Sequence, residues 1–282
     1  MTAAYQATWL PATAEQRHGL AREALAAADR TGEPRHEAIA RYLLAAAAHE
    51  TGRIEELREQ LRLGRIVCET NSLTSPLVAL GWMEAPWLAM RDQVDDAWRL
   101  IAATTELLEL TSMPHKSAAP AATSLIVEML AGGFRPETIG SFSAMAEHTR
   151  LPMHITVLWM LVRSGRLADA RERYRPGMAL PADTWMSVSL HSQIAEVAAG
   201  LADGELGARV YRWLVPFAGT PAAAAGSSAM GPVDTYLALA AAAAGQVDLA
   251  RGHADDAERL CARWAVPRAA AVLVDARRRY GF

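Results

Sequence analysis

Glu50-Thr-Gly-Arg-Ile-Glu-Glu56 and Gly245-Gln-Val-Asp-Leu-Ala250 are two copies of one pattern: an alanine-rich apolar run stops at a small or polar residue, and a helix-start signal follows at once. The pattern returns at Arg91-Asp-Gln-Val-Asp-Asp-Ala97, Gly132-Gly-Phe-Arg-Pro-Glu-Thr138, Gly165-Arg-Leu-Ala-Asp-Ala170 and Ala202-Asp-Gly-Glu-Leu-Gly-Ala208. Its spacing, roughly 33 to 43 residues, lies in the range of helical-repeat arrays. A lone helix hairpin cannot bury its apolar face, so hairpins must stack. The expected fold is all-α: a right-handed superhelix of antiparallel helix hairpins, with residues 1–282 forming one helical-repeat domain.

Composition agrees. Of 282 residues, 51% are hydrophobic. About a fifth are alanine, the best helix former. Val, Ile, Tyr and Phe never alternate over a convincing strand length. Caps and breakers predict helices over 13–30, 35–51, 54–70, 73–91, 94–111, 119–131, 136–148, 151–164, 167–174, 183–200, 204–216, 232–244, 247–264 and 267–279. The first opens on a capping-box pattern, Thr13-Ala-Glu-Gln16. Pro86 should kink the helix over 73–91. Three longer breaks stand near 111–120, 175–183 and 219–232. The second is the weak point of the array, at 175–182, and the third is an Ala/Gly/Ser loop.

Net charge is −3 and the pI about 6.3. Nothing here has the electrostatic footprint of a nucleic-acid binder. Lys116 is the only lysine. It sits in Met113-Pro-His-Lys-Ser-Ala-Ala-Pro120 without the glycines of a phosphate-binding loop, and a Schiff-base role is not expected in that connection. Cys68 and Cys261 are far apart and make neither a disulfide framework nor a zinc pattern. The first residues lack a basic region followed by a hydrophobic run, so no signal peptide is expected. No apolar stretch approaches the roughly 18 residues that span a bilayer. The expectation is a cytoplasmic protein with no membrane or nucleic-acid partner; homo-oligomerisation stays open.

The last third carries a more specific pattern. A helix ending in Ala208-Arg-Val-Tyr-Arg-Trp-Leu-Val-Pro-Phe-Ala-Gly219 precedes the Ala/Gly/Ser loop, and Gly231-Pro-Val-Asp-Thr-Tyr-Leu-Ala238 opens the next helix. This resembles the tetratricopeptide-like C-terminal region of actinobacterial LuxR-type and adenylate-cyclase-like signalling ATPases. Tyr211, Leu214, Pro216, Phe217, Gly231, Val233, Tyr236 and Leu237 take the places of the family's pattern, and Ala238 replaces its last glycine. The match covers roughly 160–282; more N-terminal pairs share only spacing and turn type. The family's ATPase and helix-turn-helix domains have no counterpart, so neither ATP hydrolysis nor DNA binding is implied. The resemblance implies a tetratricopeptide-like solenoid with a regulatory, sensing or binding role.

Eight tryptophans and eleven methionines stand against four phenylalanines. Many crowd the first helices of hairpins, which line the concave face in tetratricopeptide-like arrays. Trp82, Met83, Trp87, Trp159, Trp185 and His191 are the expected ligand-binding residues. His154, His191 and Glu84 are the candidates for moving a proton, since imidazole titrates near neutrality. The alternative for each tryptophan and methionine is core packing. No histidine pair has the i, i+4 spacing of a helical zinc site, so no metal and no cofactor is expected. His49 ends a helix, where an imidazolium would suit the dipole. Asp95-Asp96 begins like the aspartate-rich motif of isoprenoid cyclases, but Arg99 replaces its final aspartate; Asp95 instead suits a helix start. His253 and Asp256, three apart, read as a solvated helix face. Gly226-Ser-Ser-Ala-Met-Gly231 is no nucleophile elbow. Arg277, Arg278 and Arg279 suit a helix C-terminus.

These readings favour a binding module that holds a hydrophobic small molecule or a partner peptide in a concave groove. The alternatives are a cofactor-free, cyclase-like enzyme of natural-product biosynthesis using the same groove, and a scaffold.

Overall fold

The computed structural model describes residues 2–111, 118–149, 151–224 and 226–282; His115 and Lys116 lie outside them. The chain is 77% helical, and the all-α class holds. Its helices are α1 (Thr2–Ala7), α2 (Ala14–Thr31), α3 (Pro34–Glu50), α4 (Ile54–Thr70), α5 (Thr74–Met90), α6 (Val94–Glu109), α7 (Ala118–Ala131), α8 (Pro136–His148), α9 (Met153–Arg163), α10 (Leu167–Arg173), α11 (Ser187–Leu201), α12 (Gly204–Leu214), α13 (Val233–Ala243), α14 (Val247–Trp264) and α15 (Pro267–Tyr280). The chain divides into two compact units. The first is Met1–Val127 with Asp183–Met186 and Ala223–Met230; the second is Glu128–Ala182, Ser187–Ala222 and Gly231–Phe282.

One turn recurs in both units and explains the repeat. A residue in left-handed conformation follows first helices at Gly52, Asp92, Gly165, Ala202 and Gly245, and Ser72 and Ala265 follow the second helices α4 and α14 in the same way. The next N–H then bonds back five residues: Arg53 to the Ala48 carbonyl at 2.9 Å, Gln93 to Leu88 at 2.9 Å, Arg166 to Leu161 at 2.9 Å, Gln246 to Ala241 at 2.9 Å. This is the 6→1 bond of a Schellman turn. The same residue's carbonyl accepts the first N–H of the following helix, as Arg53 does from Leu57 at 2.9 Å and Gln246 from Ala250 at 2.9 Å. One residue therefore closes one helix and opens its partner, which leaves no room for a longer loop. Ser72 and Ala265 belong to the same class without the expected glycine.

A Cβ in that left-handed well costs about 1 to 2 kcal/mol. Glycine removes this cost but has more unfolded-state freedom to lose. Ala265→Gly is therefore expected to stabilise by about 0.5–1 kcal/mol. Urea unfolding checks it; a loss of stability would show that Ala265 is unstrained.

The hairpin helices differ by layer. The first helices are buried almost all round, as in Leu43 to His49 of α3, Ile155 to Val162 of α9, Ser187 to Ala198 of α11 and Val233 to Ala241 of α13. A helix apolar on every side is a core helix. The second helices bury one stripe: Ile54, Leu57, Leu61 and Cys68 on α4, and Ala250, Ala254, Ala257 and Cys261 on α14. In the first unit α3 packs on α2, α4 and α5, and α5 on α6; in the second, α11 packs between α9 and α13.

Three local expectations change. Thr13 precedes α2 but makes no cap; its hydroxyl donates back to the carbonyls of Thr8 and Leu10. Pro86 does not end α5. It has no N–H for the Trp82 carbonyl, and the buried Thr123 hydroxyl donates to that oxygen instead, at 3.5 Å. The stretch over 219–232 is not a plain loop: Pro221–Ala224 and Ser228–Pro232 pair as strands β1 and β2. Both strands are buried throughout and, Met230 apart, built from small residues and proline, so they lack the polar–apolar alternation that marks a strand. At the hairpin tip a Cβ on Gly226 would stand 2.9 Å from the Tyr42 hydroxyl oxygen and 3.0 Å from the Ala46 Cβ, which explains glycine there.

Candidate functional site

The residues expected to line a groove fall into two groups. Trp82, Met83, Trp87, Trp159 and His191 are buried. Trp82 packs with Val78 and Leu108, and Trp159 meets the Phe134 ring edge-on at 5.0 Å. Trp185 is half exposed, and His154 is exposed. His191 donates Nδ1–H to the Ser187 carbonyl at 2.7 Å and stacks on Trp213, centroids 3.6 Å apart and planes within 7°. The physical cause is the layer difference above: first helices are enclosed, so their large side chains pack as core.

Trp87 and Glu84 share a different feature, a cleft of about 350 Å³ between α4 and α5 in the first unit. Leu61, Ile66 and Trp87 give it an apolar lining, and Arg58, Arg62, Arg65 and Arg91 surround them. Three of the cations are tied. Arg58 reaches Glu55 at 2.5 Å, Arg62 reaches Glu59 at 2.8 Å, and Arg65 reaches Glu84 at 2.8 Å and Glu69 at 3.6 Å. Arg91 makes no ion pair among the described residues, and its Nε is buried without a hydrogen bond. Burial, then the nearby Arg58 charge, lowers its pKa, with Glu84 and Glu55 opposing. An anion would satisfy this guanidinium.

Behind the cleft lies His49. Both ring nitrogens are buried without hydrogen bonds, and the ring meets Trp87 edge-on at 5.7 Å. Burial pulls its pKa down to about 3. The expected imidazolium at the α3 C-terminus is thus replaced by a neutral ring, because enclosure outweighs the helix dipole.

A polar cluster sits in the second unit. The Tyr211 hydroxyl (α12) donates to His253 Nε2 (α14) at 2.9 Å. His253 Nδ1–H faces Asp234 Oδ1 (α13) at 3.2 Å, and Asp234 Oδ2 accepts the Gly219 N–H at 2.7 Å. Asp256 completes the group: one ligand atom from each of Asp234, His253 and Asp256 lies within 4.8 Å of the others. Burial raises the Tyr211 pKa, and the Asp234 charge adds to it. His253 and Asp256 therefore do more than line a solvated face.

No family model, curated protein or solved structure matches the chain. Among the described residues no helix is long and apolar enough to cross a membrane.

The cleft arginines and Asp234 lie outside the residues expected to form a site. Arg58, Arg62 and Arg65 stand at i, i+4 and i+7, one helix face, and that stripe was legible. Asp234 and His253 are 19 residues apart, and only the α13–α14 hairpin brings them together.

Proposed function

We propose that the chain is a binding module, a tetratricopeptide-like superhelix of hairpins that holds a partner segment with acidic and apolar side chains. The observation that carries this reading is Arg91: a partly buried cation that makes no ion pair among the described residues, at the wall of a cleft with an apolar lining. Arg58, Arg62 and Arg65 add positive potential around it, which attracts and orients an anionic segment. Ile66, exposed at the cleft, would take an apolar side chain beside the carboxylate, on a wall backed by the buried Leu61 and Trp87. The cleft is small for enclosing a flat hydrophobic molecule, near the low end of the usual roughly 300–1,000 Å³. The resemblance in the last third supports a regulatory or accessory role.

Anisotropy of fluorescein-labelled dodecapeptides tests the reading. A peptide alternating Glu with Leu and Phe should saturate the protein and weaken with salt. Arg91→Ala should weaken it by about tenfold or more, since a charge-assisted hydrogen bond contributes about 1.5–3 kcal/mol. Arg99→Ala is the control, because Arg99 pairs with Asp96 on the exposed face of α6. Equal affinity in wild type and Arg91→Ala would sink the proposal, as would equal affinity for the Lys counterpart of the peptide.

A further inference from the structure

We propose that Asp234, His253 and Asp256 bind one divalent transition-metal ion in the second unit, with Zn²⁺ the best match to their donor set. The three residues offer one imidazole nitrogen and two carboxylate oxygens, and these atoms lie within 4.8 Å of one another. Two ligands on a common zinc, with bonds of about 2.0–2.2 Å, sit about 3.0–3.5 Å apart. His253 Nδ1 and Asp234 Oδ1 stand at 3.2 Å, long for a charge-assisted hydrogen bond and inside that range. The ion is therefore accommodated with little movement of this pair.

The surrounding groups are those that orient metal ligands. Asp234 is held through its other oxygen by the Gly219 N–H at 2.7 Å. The Tyr211 hydroxyl stands 2.9 Å from His253 Nε2. With the ion on Nδ1, the ring proton moves to Nε2 and donates to the Tyr211 oxygen, so the tyrosine fixes both tautomer and ring plane. Charge points the same way. The Asp234 side chain is 3% exposed, and its ion-pairing partner among the described residues is His253, with no arginine or lysine. A buried carboxylate of this kind needs a positive partner, and a divalent ion supplies it.

Asp256 closes the site from the solvent side. It lies one helical turn after His253 on α14, hence on the same face. Its carboxylate also meets Arg259, a side chain 70% exposed and able to swing away. Three protein ligands leave a fourth position for water or a ligand, the arrangement of open rather than closed zinc sites. The absence of a His pair within one helix hides this site, because its donors come from two helices.

The test uses the full chain stripped with a chelator and titrated with Co²⁺. Visible d–d absorption should saturate at one equivalent, and Zn²⁺ should displace it. Zn²⁺ should also raise the Tm. His253→Ala should abolish both signals. Asp256→Asn, on the partly exposed side of the site, should keep the Tm of the metal-free protein and lower Co²⁺ affinity by about tenfold or more. Tyr211→Phe, which removes a positioning hydroxyl, should lower affinity by about tenfold and alter the absorption envelope. Absence of a Co²⁺ band at one millimolar metal (~1 mM, far above typical site affinities) overturns the proposal and leaves a Tyr–His–Asp hydrogen-bond chain. So does a band that persists unchanged in both Asp256→Asn and Tyr211→Phe.

Discussion

Glu196→Ala is expected to lower the stability of the second unit by about 3–5 kcal/mol, the cost of breaking a buried ion pair from one side. Glu196 is buried on α11. Both of its oxygens accept from Arg163 Nη1 at 2.9 Å, and Oε2 also accepts the Trp159 indole N–H at 2.7 Å. Burial works against the Arg163 charge, but Glu196, then Tyr236 and Asp275, hold its pKa above the ordinary arginine value. Removing the carboxylate therefore leaves a cation that cannot deprotonate, together with an indole N–H that loses its acceptor. Glu196→Gln keeps an acceptor and loses the charge, so it should cost less, about 1–3 kcal/mol. The double variant Glu196→Leu with Arg163→Met should recover much of the loss, because replacing both partners by apolar groups is often near neutral. Urea unfolding followed by tryptophan emission measures all three. A single-variant loss below 1 kcal/mol (~, within the range of exposed pairs) would mean that water reaches Arg163. Failure of the double variant to recover would mean that Glu196 acts through Trp159 instead.

Trp159 shows what the sequence could and could not reveal. Its place on a first helix was legible, because the turns at Gly165 and Gly245 mark helix ends through the left-handed residue they require. The expected boundaries fall within a few residues of the observed ones from α2 to α15. Its environment was not legible. An amphipathic second helix announces its buried stripe, as Ile54, Leu57 and Leu61 do, but a helix enclosed on every side has no periodicity to report. Trp82, Trp87 and Trp159 therefore looked available for a ligand while they pack as core. The same limit hid β1 and β2, whose alanines and serine carry no alternation.

The functional groups that emerge are relational. Arg91 matters because the described residues give it no carboxylate, and Asp234 because α14 returns His253 to it. Neither fact is a property of its local sequence. Within each unit the candidate site lies where second helices meet first helices: α4 with α5, and α14 with α13. Second helices hold polar side chains on the unburied part of their surface, so they can carry charge to a seam whose other wall is core.

Acid should act on the first of these seams through His49. Its pKa in the folded chain is about 3, against about 6.5 when unfolded. Between those values the unfolded chain binds a proton that the folded chain refuses, so protonation favours unfolding. This contribution to stability is complete above pH 6.5 and is lost as pH falls toward 3. At about pH 4.5 the loss should reach about 2–3 kcal/mol relative to about pH 7.5. His49→Leu removes the titrating ring from a site where its nitrogens have no hydrogen bonds. The variant should lack that part of the acid slope, while other carboxylate and histidine contributions remain common to both proteins. Urea unfolding of the pair at both pH values isolates the difference, and parallel slopes would show that His49 is charged or solvated in the folded chain. Trp87 links this to recognition, since its ring packs on His49 and lines the arginine cleft. The folded chain keeps His49 neutral down to about pH 3, so acidic-peptide binding by the folded protein should fall no more steeply on acidification in the wild type than in His49→Leu.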